Sequence, residues 1–258
     1  MRHILNIMSR ELRAYFVSPL AYVILIFFLF IVGMFFVQVV FSYSQISLEV
    51  SRNPAWASQV NLHDIVIRNF YSTFSVIMLF VAPLLSMRVL AEEKKLGTAE
   101  MLLTAPISTM QLVIGKYLGA LGFGVCILIV SLQYPLFLVF MGARPEVGPL
   151  AAVYLGTLLL MGAFLAVGVF ASSLTSNQLV AAIIAFVINL FFWVVGFLGE
   201  IGGGASRFSD LLKNLSVIQH YGDFLKGIID TGSVAYYLTF IVFGLFLTQR
   251  VIDSGRWR

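Results

Sequence analysis

The chain has 258 residues, 60% of them hydrophobic and 11% charged, a composition far from that of a soluble domain. Sixteen Lys and Arg against twelve Asp and Glu give a net charge of +4, but the basic residues sit scattered at the ends of apolar runs, which argues against a nucleic-acid-binding surface. Disorder and a string of soluble domains are excluded by the same counts, leaving one polytopic all-α membrane unit over residues 1–258.

In chain order, the opening HILNIMSRELRAYFVSPLAY places Ile4, Met8, Leu12 and Tyr15 near one helical face, with Asn6, Arg10 and Arg13 suited to water or headgroups. Residues 1–18 are therefore expected to form an amphipathic interfacial helix. It serves as a membrane anchor, as a transmitter of force from a partner, or as both. Pro19 then breaks or kinks the chain before the first apolar run. That run, residues 20–40, has the length of about 20 residues that a membrane-crossing helix needs and lacks the short core and cleavage pattern of a secretory signal.

Residues 41–69 are polar enough to leave the bilayer, and Asn53-Pro54 followed by Trp56 suggests a small interfacial cap. His63 and Asp64 lack companions at zinc-site spacing and are expected to be a satisfied surface pair. The second span, 70–89, ends in APLLSMRV, where Pro83 is placed to bend it. Residues 88–110 carry the polar corner Glu92, Glu93, Lys94 and Lys95, then the apolar Leu96, Met101, Leu102 and Leu103. A short coupling helix fits that order, with Gly97 relaxing a turn and Ala105-Pro106 ending it; an ordinary loop with snorkelling side chains is the alternative.

A third span covers 117–141, and a hairpin of two more covers 150–171 and 179–199 around SSLTSNQ. Gly115 and Gly119, in GKYLG, allow close helix approach, either within the subunit or across a dimer. Residues 200–232 begin with a turn at Gly202, Gly203 and Gly204 and continue as interfacial helices or a re-entrant excursion. The last run, 234–248, is short for a span. Six spans put ten basic and five acidic residues on the side of both termini, against six and seven on the other, so the positive-inside rule places the termini in the cytoplasm. Five spans, seven spans or a partly re-entrant arrangement are the alternatives.

Chemistry-bearing motifs are sparse. There is no HExxH, GxSxG or paired-cysteine motif, and Gly115-Lys116 lacks the glycine-rich loop of a phosphate-binding site, so the chain is not its own ATPase. His3, His63 and His220 are far apart in sequence, and Cys126 sits in an apolar helix. No catalytic, cofactor-binding or metal residues are expected. Gln38, Gln133 and Asn189 are the notable amides inside spans, and each either lines a route or bonds one helix to another.

Three ordered segments, SRELRAYFVSPLAYV, PLLSMRVLAEEKKLGTAEMLLTAPIS and LVIGKYLGAL, resemble the ABC-2 type transporter permeases, in particular the gliding-motility-type branch, over nearly the whole chain. The resemblance implies the ABC-2 exporter fold, a separate P-loop ATPase subunit that carries ATP and Mg, and a second permease copy or a paralogous permease. It also implies a bacterial cytoplasmic (inner) membrane. In such permeases the opening helix and the loop after the second span relay motion from the ATPase. Carried to this sequence, those roles fall on Arg10, Glu11, Glu92, Glu93, Lys94, Gly97, Thr98, Glu100 and Pro106. The implied function is an export subunit working by alternating access. The alternative is a membrane anchor or mechanical scaffold of a surface-associated or motility complex without conventional cargo.

Overall fold

The computed structural model describes residues 2–52, 61–97, 108–143, 145–201 and 207–255, and every regular element among them is a helix. Helix α1 (Arg2–Val17) stops at Ser18, and Pro19 opens α2 (Pro19–Arg52) at the first helical position, where its missing N–H costs nothing and its fixed φ suits the helix. A π-helical turn, His63–Arg68, runs into α3 (Asn69–Ser86), which breaks at Met87 and resumes as α4 (Arg88–Lys95). Pro83 removes one backbone donor inside α3, one turn before that break.

Helix α5 (Thr109–Ser131) starts on a capping box: Gln111 N donates to Ser108 Oγ (3.2 Å) and Ser108 N donates to Gln111 Oε1 (3.3 Å). It breaks at Leu132 and continues as α6 (Gln133–Phe140). Helices α7 (Val147–Leu174) and α8 (Gln178–Ile201) form a hairpin, its turn held by Leu179 N donating to Asn177 Oδ1 (2.9 Å). Two short helices, α9 (Arg207–Leu215) and α10 (Val217–Leu225), precede α11 (Thr231–Gly255).

Six stretches are long and apolar enough to cross a membrane: Pro19–Arg52, His63–Lys95, Thr109–Phe140, Val147–Leu174, Gln178–Leu198 and Thr231–Ser254. The chain is a multi-pass, all-α membrane protein with six spans. The helices overrun their apolar windows, because hydropathy marks the lipid-immersed part while the hydrogen-bond ladder continues past it. Thus α2 reaches Arg52 through residues assigned above to an external connection; at 1.5 Å per residue its 34 residues make about 51 Å, against a hydrocarbon core of about 30 Å. The last helix, short by hydropathy, gains residues mainly at its polar C-terminal end. Trp56 and the Gly202 to Gly204 turn lie outside the described residues.

Helix α7 is the centre of the bundle: Leu160, Met161, Ala163, Phe164, Leu165 and Ala166 are all fully buried, surrounded by α3, α5, α8, α10 and α11. Helix α2 is peripheral, with Phe27, Phe30 and Met34 exposed as a membrane-facing surface requires. With six crossings, both termini lie at one end of the bundle. That terminal end gathers α1, the α3–α4 break, the start of α5 and the α7–α8 turn, while α9 and α10 lie at the other.

Candidate functional site

The terminal end of the bundle is organised by how closely α1 approaches α5. A Cβ added to Gly115 would stand 2.8 Å from Ile7 Cβ, and one added to Gly119 would stand 2.5 Å from Glu11 Cβ. Only glycine admits contact this close. The two glycines therefore serve an interface inside the subunit, with α1 as the occupant, and the amphipathic helix is seated rather than loosely attached.

Seating α1 there brings Glu11 to Lys116. Lys116 is 1% exposed, and its ammonium has three acceptors for its three N–H groups: Glu11 Oε1 (2.8 Å), Glu93 Oε1 (2.8 Å) and Val89 O (2.7 Å). Arg10 Nη2 adds a longer contact to Glu93 Oε1, 3.5 Å. One buried cation thus joins α1, α4 and α5, and it is tolerable because every proton is taken and two carboxylates compensate it.

At the break between α3 and α4, side chains from three other helices bond to the backbone. Tyr15 of α1 donates its hydroxyl to Leu85 O (2.7 Å), Ser172 of α7 donates to Met87 O (2.9 Å), and Lys116 of α5 takes Val89 O. Ser172 Oγ also accepts from Leu90 N and Ala91 N, each at 2.9 Å. Lys94 Nζ donates to Ser173 O, tying the far end of α4 to the same turn of α7. Tyr15 stacks on Phe123, with ring centroids 5.1 Å apart, and the Arg88 guanidinium lies over the Tyr15 ring, 4.3 Å from its centroid. Burial pushes the Tyr15 hydroxyl pKa up against the pull of Arg88, so it stays a donor.

Among the residues implied by resemblance, Glu11 and Glu93 converge on Lys116, Arg10 pairs with the same two carboxylates, and Lys94 reaches Ser173 of α7. Glu92 is exposed beside them and lines a cavity of about 730 Å³ between α1 and α4. Gly97 has φ +70°, a left-handed stop just after α4 that glycine adopts without strain. Thr98, Glu100 and Pro106 lie outside the described residues. Of the amides, Asn189 is 1% exposed and its Nδ2 donates to Phe164 O (3.4 Å), joining α8 to α7. Gln38 and Gln133 are exposed and line separate apolar grooves on the α2 side.

Lys116, Tyr15, Ser172 and Ser173 are absent from the list read out of the sequence. A lone lysine near a span end looks like a snorkelling side chain, and SSLTSNQ looks like an ordinary polar turn. A usable signal was Lys116 itself, since its neighbours Val113 and Ala120 are apolar and glycines flank it at 115 and 119, leaving no water on that face.

At the opposite end, α10 packs into the bundle. Gly156 accommodates Phe224, a Cβ there falling 2.4 Å from Phe224 Cβ. Tyr221 OH lies 2.9 Å from Thr157 Oγ1 and donates to Tyr71 O (3.3 Å). Thr157 stands ten residues into α7, about 15 Å along its axis. His63 is buried rather than at the surface, its Nε2 lying 3.0 Å from Leu225 O. The contact comes from α10, remote in sequence, which hydropathy alone did not anticipate. His220 contacts Ser233 and Asn214 instead, and no group of three His, Cys, Asp or Glu suited to a metal occurs among the described residues.

The family model described as ABC-2 family transporter protein matches residues 5–247, from α1 through most of α11. No curated protein matches the chain.

Proposed function

The chain belongs to the ABC-2 transporter family, and from that membership we propose that it is the membrane-spanning subunit of an exporter driven by a separate P-loop ATPase, working by alternating access. The family is one of transporter permeases, and this chain is not a catalytic ATPase domain. ATP and Mg belong to the partner, and a second copy or a paralogous permease completes the membrane unit. In this reading the terminal end faces the cytoplasm of a bacterial inner membrane, as its excess of basic residues favours. Residues 1–18 and 88–110 receive the ATPase, and 200–232 form the extracytoplasmic interfacial or re-entrant region.

The observation that carries the proposal is the clamp at the α3–α4 break. Tyr15, Lys116 and Ser172, from three different helices, hold the three carbonyls of Leu85, Met87 and Val89. A push on α1 or α4 is thereby delivered to α5 and α7, the latter at the centre of the bundle. Helix pairs locked by such contacts move as units. The resemblance of SRELRAYFVSPLAYV, PLLSMRVLAEEKKLGTAEMLLTAPIS and LVIGKYLGAL extends the proposal to the gliding-motility-type branch; the second reading is a membrane anchor or mechanical scaffold of a surface-associated or motility complex without conventional cargo.

The test is purification from native membranes followed by reconstitution with the copurified ATPase. ATP-dependent accumulation of a lipid or solute in vesicles is expected. Recovery of intact protein with no ATPase would sink both readings, and ATPase stimulation without any accumulated cargo would select the scaffold.

A further inference from the structure

At the end of the bundle opposite the termini, His220 of α10 touches both α9 and α11. Its Nε2 lies 3.1 Å from Asn214 O, one of the last carbonyls of α9, and its Nδ1 lies 3.2 Å from Ser233 Oγ in the first turn of α11. The ring stacks on Tyr236 with centroids 4.1 Å apart, and the Tyr236 hydroxyl donates to the next α9 carbonyl, Leu215 O (2.7 Å). Ser233 is 1% exposed; its Oγ donates to Asp223 Oδ2 at 3.4 Å, and its N–H donates to Asp230 Oδ2 (2.9 Å). The other Asp223 oxygen meets Lys226 at 3.5 Å, a solvent-facing pair.

With a neutral imidazole this corner is one proton short. A carbonyl only accepts, so Nε2 carries the hydrogen toward Asn214 O and Nδ1 is left as an acceptor. The single Ser233 hydroxyl proton then faces two acceptors, Nδ1 and the Asp223 carboxylate, and serves one of them. A proton added to the imidazole removes the conflict: Nδ1–H donates to Ser233 Oγ, Ser233 donates to Asp223 Oδ2, and the cation is joined to a carboxylate through one buried hydroxyl. The face of Tyr236 favours the same charged form. Around the ring, Asp210 and Lys213 of α9 make no ion pair or hydrogen bond to it among the described residues. The described side chains of α7 and α8 carry no charge, Arg250 and Asp253 lie at the far end of α11, and His63 meets α10 more than a turn further on, at Leu225 O.

We propose that His220 is a proton-binding site that locks the corner of α9, α10 and α11, the bound proton joining the three helices through Asn214, Ser233 and Asp223. Because the locked corner binds this proton more readily than an opened one, locking strengthens as pH falls and weakens as pH rises through the usual imidazole range, about 6.5. The proposal stands apart from the exporter reading, which decides only the compartment that supplies the proton.

The test is hydrogen–deuterium exchange of the full chain in nanodiscs at about pH 5.5 and about pH 7.5, on either side of that range, with times scaled for the intrinsic rate. Amides of α10 and the first turns of α11 are expected to be several-fold better protected at the lower pH. His220→Gln should abolish the difference, and Ser233→Ala should abolish it with the imidazole still in place, which a merely local charge effect would not do. Asp223→Asn, at a partly exposed position, should shrink it and keeps the test open if Ser233→Ala fails to insert. His63→Gln should leave it intact. Spectra of nitrogen-labelled histidine, with the His220 signal identified by its loss in His220→Gln, should show hydrogen on Nε2 at the higher pH. Equal protection at the two pH values, a difference that survives Ser233→Ala or vanishes with His63→Gln, or hydrogen on Nδ1 alone at the higher pH would each overturn the proposal.

Discussion

Lys116 Nζ lies 2.8 Å from Glu11 Oε1, an ion pair between α5 and α1 in which the lysine side chain is 1% exposed. Removing the cation takes away the buried charge that compensates both Glu11 and Glu93, each of which Arg10 meets at longer range, 3.6 and 3.5 Å. Lys116→Met should therefore destabilise the protein by about 3–5 kcal/mol and release α1, seen as a lower Tm in detergent and faster proteolysis near Val17. Adding Glu11→Gln should recover part of the loss, with a coupling of about 0.5–3 kcal/mol. Strictly additive effects of the two substitutions would show that the pair does not hold α1.

Gly119→Ala tests the same seat by volume instead of charge. Its Cβ would stand 2.5 Å from Glu11 Cβ, both atoms sitting directly on their helix backbones, so relief requires moving α1. The expected outcome is a Tm loss and loosening of α1 similar in kind to Lys116→Met. Gly148→Ala, whose Cβ would meet nothing within 4 Å, should change stability by no more than about 1 kcal/mol. Equal tolerance of the two alanines in thermal melts would refute close seating.

Ser172→Ala removes one oxygen that serves three backbone groups of the α3–α4 break. Leu90 N and Ala91 N are then left in a buried place, each at a cost of about 1–3 kcal/mol. If α4 is the element through which the partner acts, hydrolysis by the assembled complex should continue while ATP-dependent transport falls. Ser42→Ala, which loses only an exposed bond to Gln38 O, should be silent in both assays. Unchanged transport at normal expression would exclude Ser172 from the coupling path.

Six spans were legible because lipid imposes a length and a composition that few other environments demand. The break after Pro83 and the turn at Gly97 were foreshadowed by residue type, while Arg10, Glu11 and Glu93 were singled out only by the family resemblance, which said nothing of their meeting. What stayed hidden was partner identity. Nothing in local sequence pairs Gly119 with Glu11, or chooses an intrachain over an interchain use for GKYLG, since small residues suit both. Ser172 and Ser173 were hidden for a related reason: a serine in a polar turn looks solvated until the chain folds a helix break against it. Helix ends were misjudged wherever polar residues extend an apolar helix beyond the membrane, as at Arg52 and Gly255.

The seat of Phe224 at Gly156 offers a last test, at the other end of the bundle. A Cβ on Gly156 would fall 2.4 Å from Phe224 Cβ, so Gly156→Ala must displace α10 from α7. Phe224→Ala alone should cost about 3–5 kcal/mol as a large-to-small core change. In the double variant the two losses should be less than additive, because the truncated side chain frees space near the new methyl group. Displacement can be read directly by placing a cysteine at Phe224 after replacing Cys126, the chain's one native cysteine. Phe224→Cys should resist a membrane-impermeant thiol reagent with glycine at 156 and react with it once Gly156→Ala is added. Rapid labelling in both backgrounds would mean that α10 lies on the surface and that Tyr221 does not reach Thr157.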